Sequence, residues 1–515
     1  MESNRRAPGW AGPLIGLVSC AAALGVSLAA AGLVRASAFP VVAVGDAAVD
    51  LAPAGAKEFA IRVFGENDKN VLVAGILVVL AAVAAAIGTL ALRDLRYGTA
   101  GLAAFGVVGV SAALTRPDAG VLDAVPTLAG VVAGIVTLRL LTGRALRGPA
   151  PTTSGEGAAI DRRGLLIGAA GGLALAGVSG VIGQALTSGR SAVSAARASL
   201  RLPGPATPLP PIPAGADLRI KGLSPFVTPN ADFYRVDTAL VLPQVDPRSW
   251  TLRIHGMVDR PVELTFADLL KRPVVEADVT LCCVSNDVGG PYVGNARWLG
   301  ADLAGVLRDA GVHRDADMLL STSADGWTCG TPVDVVLDGR DALLAFAMNG
   351  EALPFAHGFP VRQVVPGLYG YVSATKWVTD IKVTRFDRDE AYWTPRGWAP
   401  KGPVKTESRI DLPRDGADLP AGRTVIAGVA WAQHKGIDAV EVRIDRGPWR
   451  QARLAQAPTA DTWRQWVVDD WDATPGEHTI EVRATDATGY TQTAERAPVG
   501  PDGATGWHTV DVRVT

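Results

Sequence analysis

Cysteine, histidine and charge are all scarce in this sequence, and each shortage excludes a class of protein. The 515 residues include four cysteines, too few for a disulfide-built fold, and none has the C-x-x-C spacing of a structural zinc site. The net charge is −2, and the C-terminal half has no block of Lys and Arg. Phosphate binding needs a basic face, so nucleic acid is not an expected partner.

The shortage of charge is concentrated in the first 190 residues, where Ala, Gly, Val and Leu dominate. Five apolar runs in this region are close to the roughly 20 residues that cross a bilayer. They predict an all-α region of five transmembrane helices. The runs are Pro13–Val34, Val71–Leu92, Thr99–Leu114, Val121–Leu141 and Gly164–Thr187.

Arginines beside these runs predict the orientation of the chain. Arg5 and Arg6 precede the first run, and Arg93 and Arg96 lie between the second and third, which marks the cytoplasmic side. With five spans, the rest of the chain is extracytoplasmic, and the protein is a multi-pass protein of the cell membrane. The segment DRRGLL at 161–166 fits either an internal twin-arginine export signal or ordinary positive charge before a helix.

A proline-rich segment separates the membrane region from the remainder. Leu202–Pro213 is too rich in proline for a helix and predicts an extended tether. The predicted parts are a membrane region at 1–190, a linker at 191–216, and two globular domains at 217–400 and 401–515.

The first globular domain mixes strand and helix patterns and is predicted to be α+β. Its predicted strands are Trp250–His255, Val279–Cys283, Val361–Val365 and Trp377–Thr384, and its predicted helices are Phe266–Lys271, Ala301–Ala310 and Arg340–Met348.

The second globular domain has only alternating, strand-like runs and is predicted to be an Ig-like β-sandwich. The runs are Thr424–Gln433, Ala439–Ile444, Trp463–Val468, Thr479–Ala484 and Thr509–Val514. Asp445-Arg446-Gly447 is a predicted hairpin turn.

Two groups of residues in the α+β domain suggest chemistry. Cys282 and Cys283 end a predicted strand, and they are either buried structural residues or, at the strand end, a soft thiolate ligand for a transition metal. His357, Arg362 and Lys376 cluster in a stretch rich in Gly and Pro, which suits an anionic group bound by loops.

Around these residues the sequence resembles the sulfite oxidase family of molybdopterin enzymes. The likeness rests on MNGEALP at 348–354, HGFPVR at 357–362, VVPG at 364–367, Lys376-Trp377 and LCCVSN at 281–286. It covers residues 220–515 and implies a molybdenum–molybdopterin cofactor. It also implies that the sandwich is a dimerisation domain and that the chain forms a homodimer.

The resemblance assigns roles by position. Cys283 matches the cysteine that ligates molybdenum, and Cys282 would then point to the opposite face of the strand. Arg235 matches an arginine that faces an anionic substrate, with a surface salt bridge as the alternative. The implied cofactor-binding residues are His357, Arg362, Lys376 and Asn286.

Two departures from the family pattern concern the substrate. Sulfite oxidases have an active-site tyrosine where this sequence has Tyr392–Trp398, and Trp398 is the candidate for its place. In the loop after the first sandwich strand, Lys435 or His434 stands where the family has an arginine.

The resemblance implies a two-electron oxygen-atom transfer on a small anionic or oxo-group substrate. Sulfite or a related anion is the leading candidate for that substrate. A reductase of sulfoxides or N-oxides and a cofactor-free membrane binding module are the alternatives. The first histidine is His255, so no bis-histidine haem is expected in the spans. Electrons would then leave to a separate carrier, either a cytochrome or a membrane subunit.

Overall fold

A computed structural model describes residues 8–53, 55–56, 59, 63–64, 68–116, 119–146, 162–187 and 190–515. Arg5, Arg6 and Asp161, which enter the predictions of orientation and export, lie outside these residues. The chain forms two compact units. The first is Met1–Ser194 with Thr238–Leu242, and the second is Ala195–Asp237 with Pro243–Thr515.

The first unit is built from helices. They are α1 Ala11–Val34, α2 Pro40–Leu51, α3 Asp68–Ala91, α4 Leu95–Leu114, α5 Ala124–Leu146, α6 Arg162–Thr187 and the start of α7 Arg190–Ser199. Among the described residues, five helical segments are able to cross a membrane by length and composition, which confirms the five predicted apolar spans. The helix α2 has 12 residues, is too short to span, and was not predicted.

Glycines allow α1 to pack closely against α3 and α6. A β-carbon at Gly16 would overlap the carbonyl oxygen of Ala84 in α3, and one at Gly25 would lie 2.6 Å from the carbonyl oxygen of Ala176 in α6. Small residues at such contacts are typical of membrane helices, whose association relies on close van der Waals packing.

Gly16→Val is therefore expected to lower the free energy of unfolding by about 3 kcal/mol, because two helix backbones must separate. Thermal unfolding of the detergent-solubilised chain measures this change. Gly75→Val is the matched control, since a β-carbon there has open space around it. Equal losses in the two variants would contradict the close packing.

The N-terminal part of the second unit contains two sheets and short helices. Its strands are β1 Thr251–Gly256, β2 Val262–Thr265, β3 Val274–Cys282, β4 Val293–Asp302, β5 Met318–Ser323, β6 Thr328–Pro332, β7 Leu343–Met348, β8 Glu351–Ala352, β9 Arg362–Val364 and β10 Val378–Thr384. Its helices are α8 Phe266–Leu270, α9 Leu303–Ala310, α10 Val333–Leu337 and α11 Gly370–Ser373. The strand orders are β2-β1-β10-β5-β6 and β3-β4-β7-β8, with β9 also paired to β7.

This arrangement confirms the α+β class but corrects one predicted element. The helix predicted at Arg340–Met348 is wrong, because Leu343–Met348 is the strand β7. All six of its residues are buried, so it shows no periodicity that distinguishes a strand from a buried helix. Pairing with β4 and β9, which are distant in sequence, decides the conformation.

The C-terminal part of the second unit contains two further sheets. Their strands are β11 Glu407–Leu412, β12 Ala417–Leu419, β13 Gly422–Trp431, β14 Ile437–Ile444, β15 Arg450–Gln451, β16 Arg453–Leu454, β17 Arg464–Ala473, β18 Gly476–Asp486 and β19 His508–Val514. The orders are β11-β13-β17-β16 and β12-β19-β18-β14-β15.

One apolar core draws residues from both of these sheets, including Trp466, Val440 and Val510. The predicted hairpin is present: Asp445 and Arg446 both have positive φ between the antiparallel strands β14 and β15. The all-β character is as predicted, and the assignment to the Ig-like class stays a prediction.

Candidate active site

Two neighbouring thiols, Cys282 and Cys283, lie at the end of strand β3. Cys282 is the last residue of β3 and Cys283 is the first residue of the loop that follows, so the two side chains have different surroundings. Cys282 is fully buried in an apolar cluster with Tyr369 and Trp431, whereas Cys283 is partly exposed. The Cys283 N–H donates to the Tyr292 carbonyl oxygen at 2.9 Å, which closes the loop after β3.

The surroundings of the two thiols differ in charge as well as in burial. Burial raises the pKa of Cys283, but hydrogen bonds from Ser285 and the charge of Lys376 oppose that rise. Burial raises the pKa of Cys282 well above its usual value, and Glu407 adds to the rise. The position of Cys283 therefore favours a thiolate more than that of Cys282.

Arg362 is a buried cation at the start of β9. Its guanidinium lies 4.9 Å from the centre of the Trp298 ring and donates to the His357 and Ala374 carbonyl oxygens at 3.2 and 3.5 Å. Its Nε is buried and has no hydrogen-bond partner in the described part of the chain. No ion pair links it to a described carboxylate, and burial lowers its pKa to about 10. A buried charge of this kind calls for an anion.

His357 lies beside this cation and is neutral at physiological pH. Its Nε2 is 3.0 Å from the Asn230 carbonyl oxygen, and its ring packs edge-on against Phe233. Burial, together with the charge of Arg362, lowers the pKa of His357 to about 4. It therefore offers hydrogen bonds without adding charge.

Asp237 joins two further cations at the site. Its Oδ2 accepts from Arg235 Nε at 2.8 Å and from Lys376 Nζ at 2.8 Å. Arg235 is about a third exposed, while Lys376 is mostly buried. Arg235 therefore forms a salt bridge, but its carboxylate partner is buried and does not lie at the open surface.

The comparisons with known proteins agree on one family. Residues 239–393 match the family described as oxidoreductase molybdopterin binding domain. Sulfite oxidase from Gallus gallus is 30% identical over 327 residues, which cover 53% of this chain and 70% of that protein. The chain belongs to the sulfite oxidase family.

Three further proteins are also similar to this chain. An uncharacterized oxidoreductase of Bacillus subtilis is 34% identical over 157 residues, which cover 30% of this chain and 76% of that protein. The chain spans only 62% of the mouse mitochondrial sulfite oxidase, with 31% identity over 56% of its own length. Among solved structures, the sulfane dehydrogenase SoxCD from Paracoccus pantotrophus has 28% identity and a TM-score of 0.48, covering 56% of this chain and 81% of that one.

Family membership makes the chain a molybdenum-dependent oxidoreductase with a molybdenum–molybdopterin cofactor. The residues around Cys283 fit such a group. Cys283 would supply one soft ligand, and Arg362 would offer the group a buried positive charge, whose Nε has no partner among the described residues and suits an anionic phosphate.

The structure does not bring every predicted site residue together. Trp398 is buried on the Cys282 side of β3, and its aromatic partners are Tyr371 and Trp393. Lys435 lies at the sandwich, where its Nζ is 3.5 Å from Asp486 Oδ2. In the described part of the chain, the ring contacts of Trp398 and the ion pair of Lys435 involve neither Cys283 nor the cations described above.

The predictions based on sequence missed two residues of the site. Asp237 links Arg235 to Lys376, and Tyr234 lies close enough to both thiols and Arg362 for their charges to affect its pKa. Burial raises the pKa of Tyr234 well above its usual value. Both residues lie within two positions of Arg235, in FYRVD at 233–237. Their closeness to a predicted site residue was the signal in the sequence that could have identified them.

Proposed function

We propose that the chain is a membrane-anchored, extracytoplasmic oxidoreductase that transfers an oxygen atom in a two-electron step, with sulfite or a related small anion as substrate. The observation that carries this proposal is one partly exposed thiol, Cys283, and one buried cation without a described carboxylate partner, Arg362, which both lie close enough to Tyr234 to affect its pKa. The curated sulfite oxidases among its relatives support sulfite as the first substrate to test.

Each side chain has a proposed task. Cys283 holds the metal through its thiolate, while Arg362, His357 and Lys376 bind the anionic and polar groups of the pterin. When bound, the cofactor supplies the oxygen-atom and electron transfer chemistry. Arg235 is more exposed than the cations Arg362 and Lys376, so it is placed to attract an anionic substrate.

Asp237 controls how Arg235 and Lys376 are oriented. One carboxylate that accepts from both cations fixes their separation and offsets part of their charge. Without it, two positive groups would repel each other at the site. Trp398 and Lys435 are not proposed as catalytic residues, because each has partners elsewhere.

The location and assembly of the chain are parts of the same proposal. Five apolar helices support membrane anchoring, and the arginines between them support an extracytoplasmic catalytic domain. The proposed domain limits remain 1–190, 191–216, 217–400 and 401–515. A separate electron carrier, either a cytochrome or a membrane subunit, and a homodimer through the sandwich complete the proposal.

The test begins with the metal content of the full-length chain, purified in detergent from a host that makes the cofactor. About one molybdenum with one pterin per chain is expected, because one ligating thiol is proposed. Mass spectrometry of the metal and fluorescence of the released pterin measure both. A folded chain with neither would reject the proposal in favour of a binding module.

Dye-linked assays then decide whether the enzyme oxidises or reduces its substrate. Sulfite with an oxidised dye should give turnover under the proposal. Turnover only of a sulfoxide or an N-oxide, with a reduced dye, would instead establish a reductase on the same fold.

A further inference from the structure

The loop that follows the proposed ligand, here called the ligand loop, runs from Cys283 to Tyr292. Its base is closed by the bond from the Cys283 N–H to the Tyr292 carbonyl oxygen. The Tyr292 N–H donates in turn to Asn286 Oδ1 at 2.7 Å. The position of Cys283 therefore depends on the orientation of the Asn286 side chain.

Two residues of the C-terminal β domain contact the outer part of this loop. Arg409 in β11 donates to the Gly290 carbonyl oxygen at 2.9 Å. The ring of His508 in β19 lies against Gly289, where a β-carbon would overlap it and where φ is +78°. The loop is thus held from outside its own domain.

A third residue of β11, Glu407, lies behind Asn286. Its side chain is buried, and burial raises its pKa to about 8, although Lys405 and the Asn286 amide oppose that rise. Glu407 Oε1 and Asn286 Nδ2 are both buried, and neither has a hydrogen-bond partner of normal geometry in the described chain. An unused acceptor therefore neighbours an unused donor.

We propose that Glu407 is a positioning residue for Cys283, because it accepts a hydrogen bond from Asn286 Nδ2. The two ends of an amide are nearly equal in shape, so only its partners select the orientation. A flipped Asn286 would direct Nδ2 toward the Tyr292 N–H, which is itself a donor. Glu407 removes that alternative and keeps the base of the loop closed.

This inference deepens the proposed function and rests on it, since it takes Cys283 as the metal ligand. It also gives the C-terminal domain a part in the site through β11 and β19, in addition to any role in dimerisation. Asn286 then supports the loop, and contact with the cofactor is not required of it. A carboxyl oxygen of the Glu407 side chain can accept this bond whether or not the carboxyl is protonated, because protonation occupies only one of the two oxygens.

The test compares full-length Glu407→Leu and Glu407→Gln with Ser408→Ala. Gln keeps an acceptor oxygen. Ser408 is the matched control, because it is buried in the same strand but bonds to Gln492 instead of the loop. Molybdenum per chain and the Mo(V) electron paramagnetic resonance signal are measured on the holoenzyme, and the alkylation rate of Cys283 on chain made without cofactor.

Glu407→Leu is expected to lower molybdenum content and to raise the Cys283 alkylation rate, each about tenfold, because it leaves a buried donor unpaired. The residual Mo(V) signal should shift, since the ligand has moved. Glu407→Gln and Ser408→Ala should stay within about twofold of the parent.

Failure of the proposed function and failure of the role of Glu407 would give different results. Parent chain without molybdenum would reject the proposed function, and the alkylation rate would still report whether Glu407 holds the loop. Loaded parent chain with no difference between Glu407→Leu and Ser408→Ala, in either metal content or alkylation, would overturn the role of Glu407.

Discussion

Cys283→Ser is expected to lower molybdenum-dependent turnover by at least about a hundredfold, since even residues that only support a metal ligand are worth 10–100-fold. Cys282→Ser should reduce turnover far less. Cys282 is fully buried with its thiol in an apolar cluster, so its replacement costs stability and leaves the ligand in place. We therefore expect Cys283→Ser to lower activity and Cys282→Ser to lower stability, although the two residues are adjacent.

Two measurements on the same preparations check this separation. Turnover per bound molybdenum reports the ligand, and the midpoint of thermal unfolding reports packing. Cys329→Ser is a useful control, because Cys329 is a third buried thiol, on β6, and none of its described hydrogen-bond partners belongs to the ligand loop. Equal loss of turnover in Cys282→Ser and Cys283→Ser would contradict the choice of ligand.

Local patterns in the sequence were sufficient for part of this site. The alternation of a strand is a local property, so a difference in surroundings between Cys282 and Cys283 was predictable from their adjacency alone. The five apolar helices were equally accessible, because length and composition determine whether a helix crosses a bilayer.

Contacts between distant parts of the chain were not accessible from such patterns. Nothing around Glu407 indicates that β11 reaches the loop at Asn286, more than 100 residues earlier. The strand β7 was missed for the same reason, because its partners and not its own residues decide its conformation. The short helix α2 carried too few residues to stand out from a loop.

Arg362→Met is expected to have opposite effects on the loaded and the cofactor-free chain. In the loaded chain, the substitution removes one partner of a buried charge contact, which should lower the free energy of unfolding by about 3–5 kcal/mol. Most of the cofactor should also be lost. Without cofactor, the guanidinium has no described carboxylate partner and pays for its burial through a lowered pKa. Replacement by an apolar side chain should then stabilise the chain by about 1–4 kcal/mol.

Arg297→Met supplies the contrast that makes this sign change informative. Arg297 donates to both carboxylate oxygens of the buried Asp278, at 2.8 and 2.7 Å, so its loss leaves an unpaired carboxylate in either form of the chain. It should therefore destabilise the loaded and the cofactor-free chain alike. Thermal unfolding of both variants, with and without cofactor, measures the four values.

The outcome distinguishes two roles for Arg362. Its bonds to the His357 and Ala374 carbonyl oxygens are long, at 3.2 and 3.5 Å, so they offset little of the cost of burying its charge. If those bonds were its purpose, Arg362→Met would destabilise the cofactor-free chain as Arg297→Met does. A rise in the unfolding midpoint of the cofactor-free chain, together with loss of bound pterin, would instead identify Arg362 as a charge held in place for an anionic cofactor.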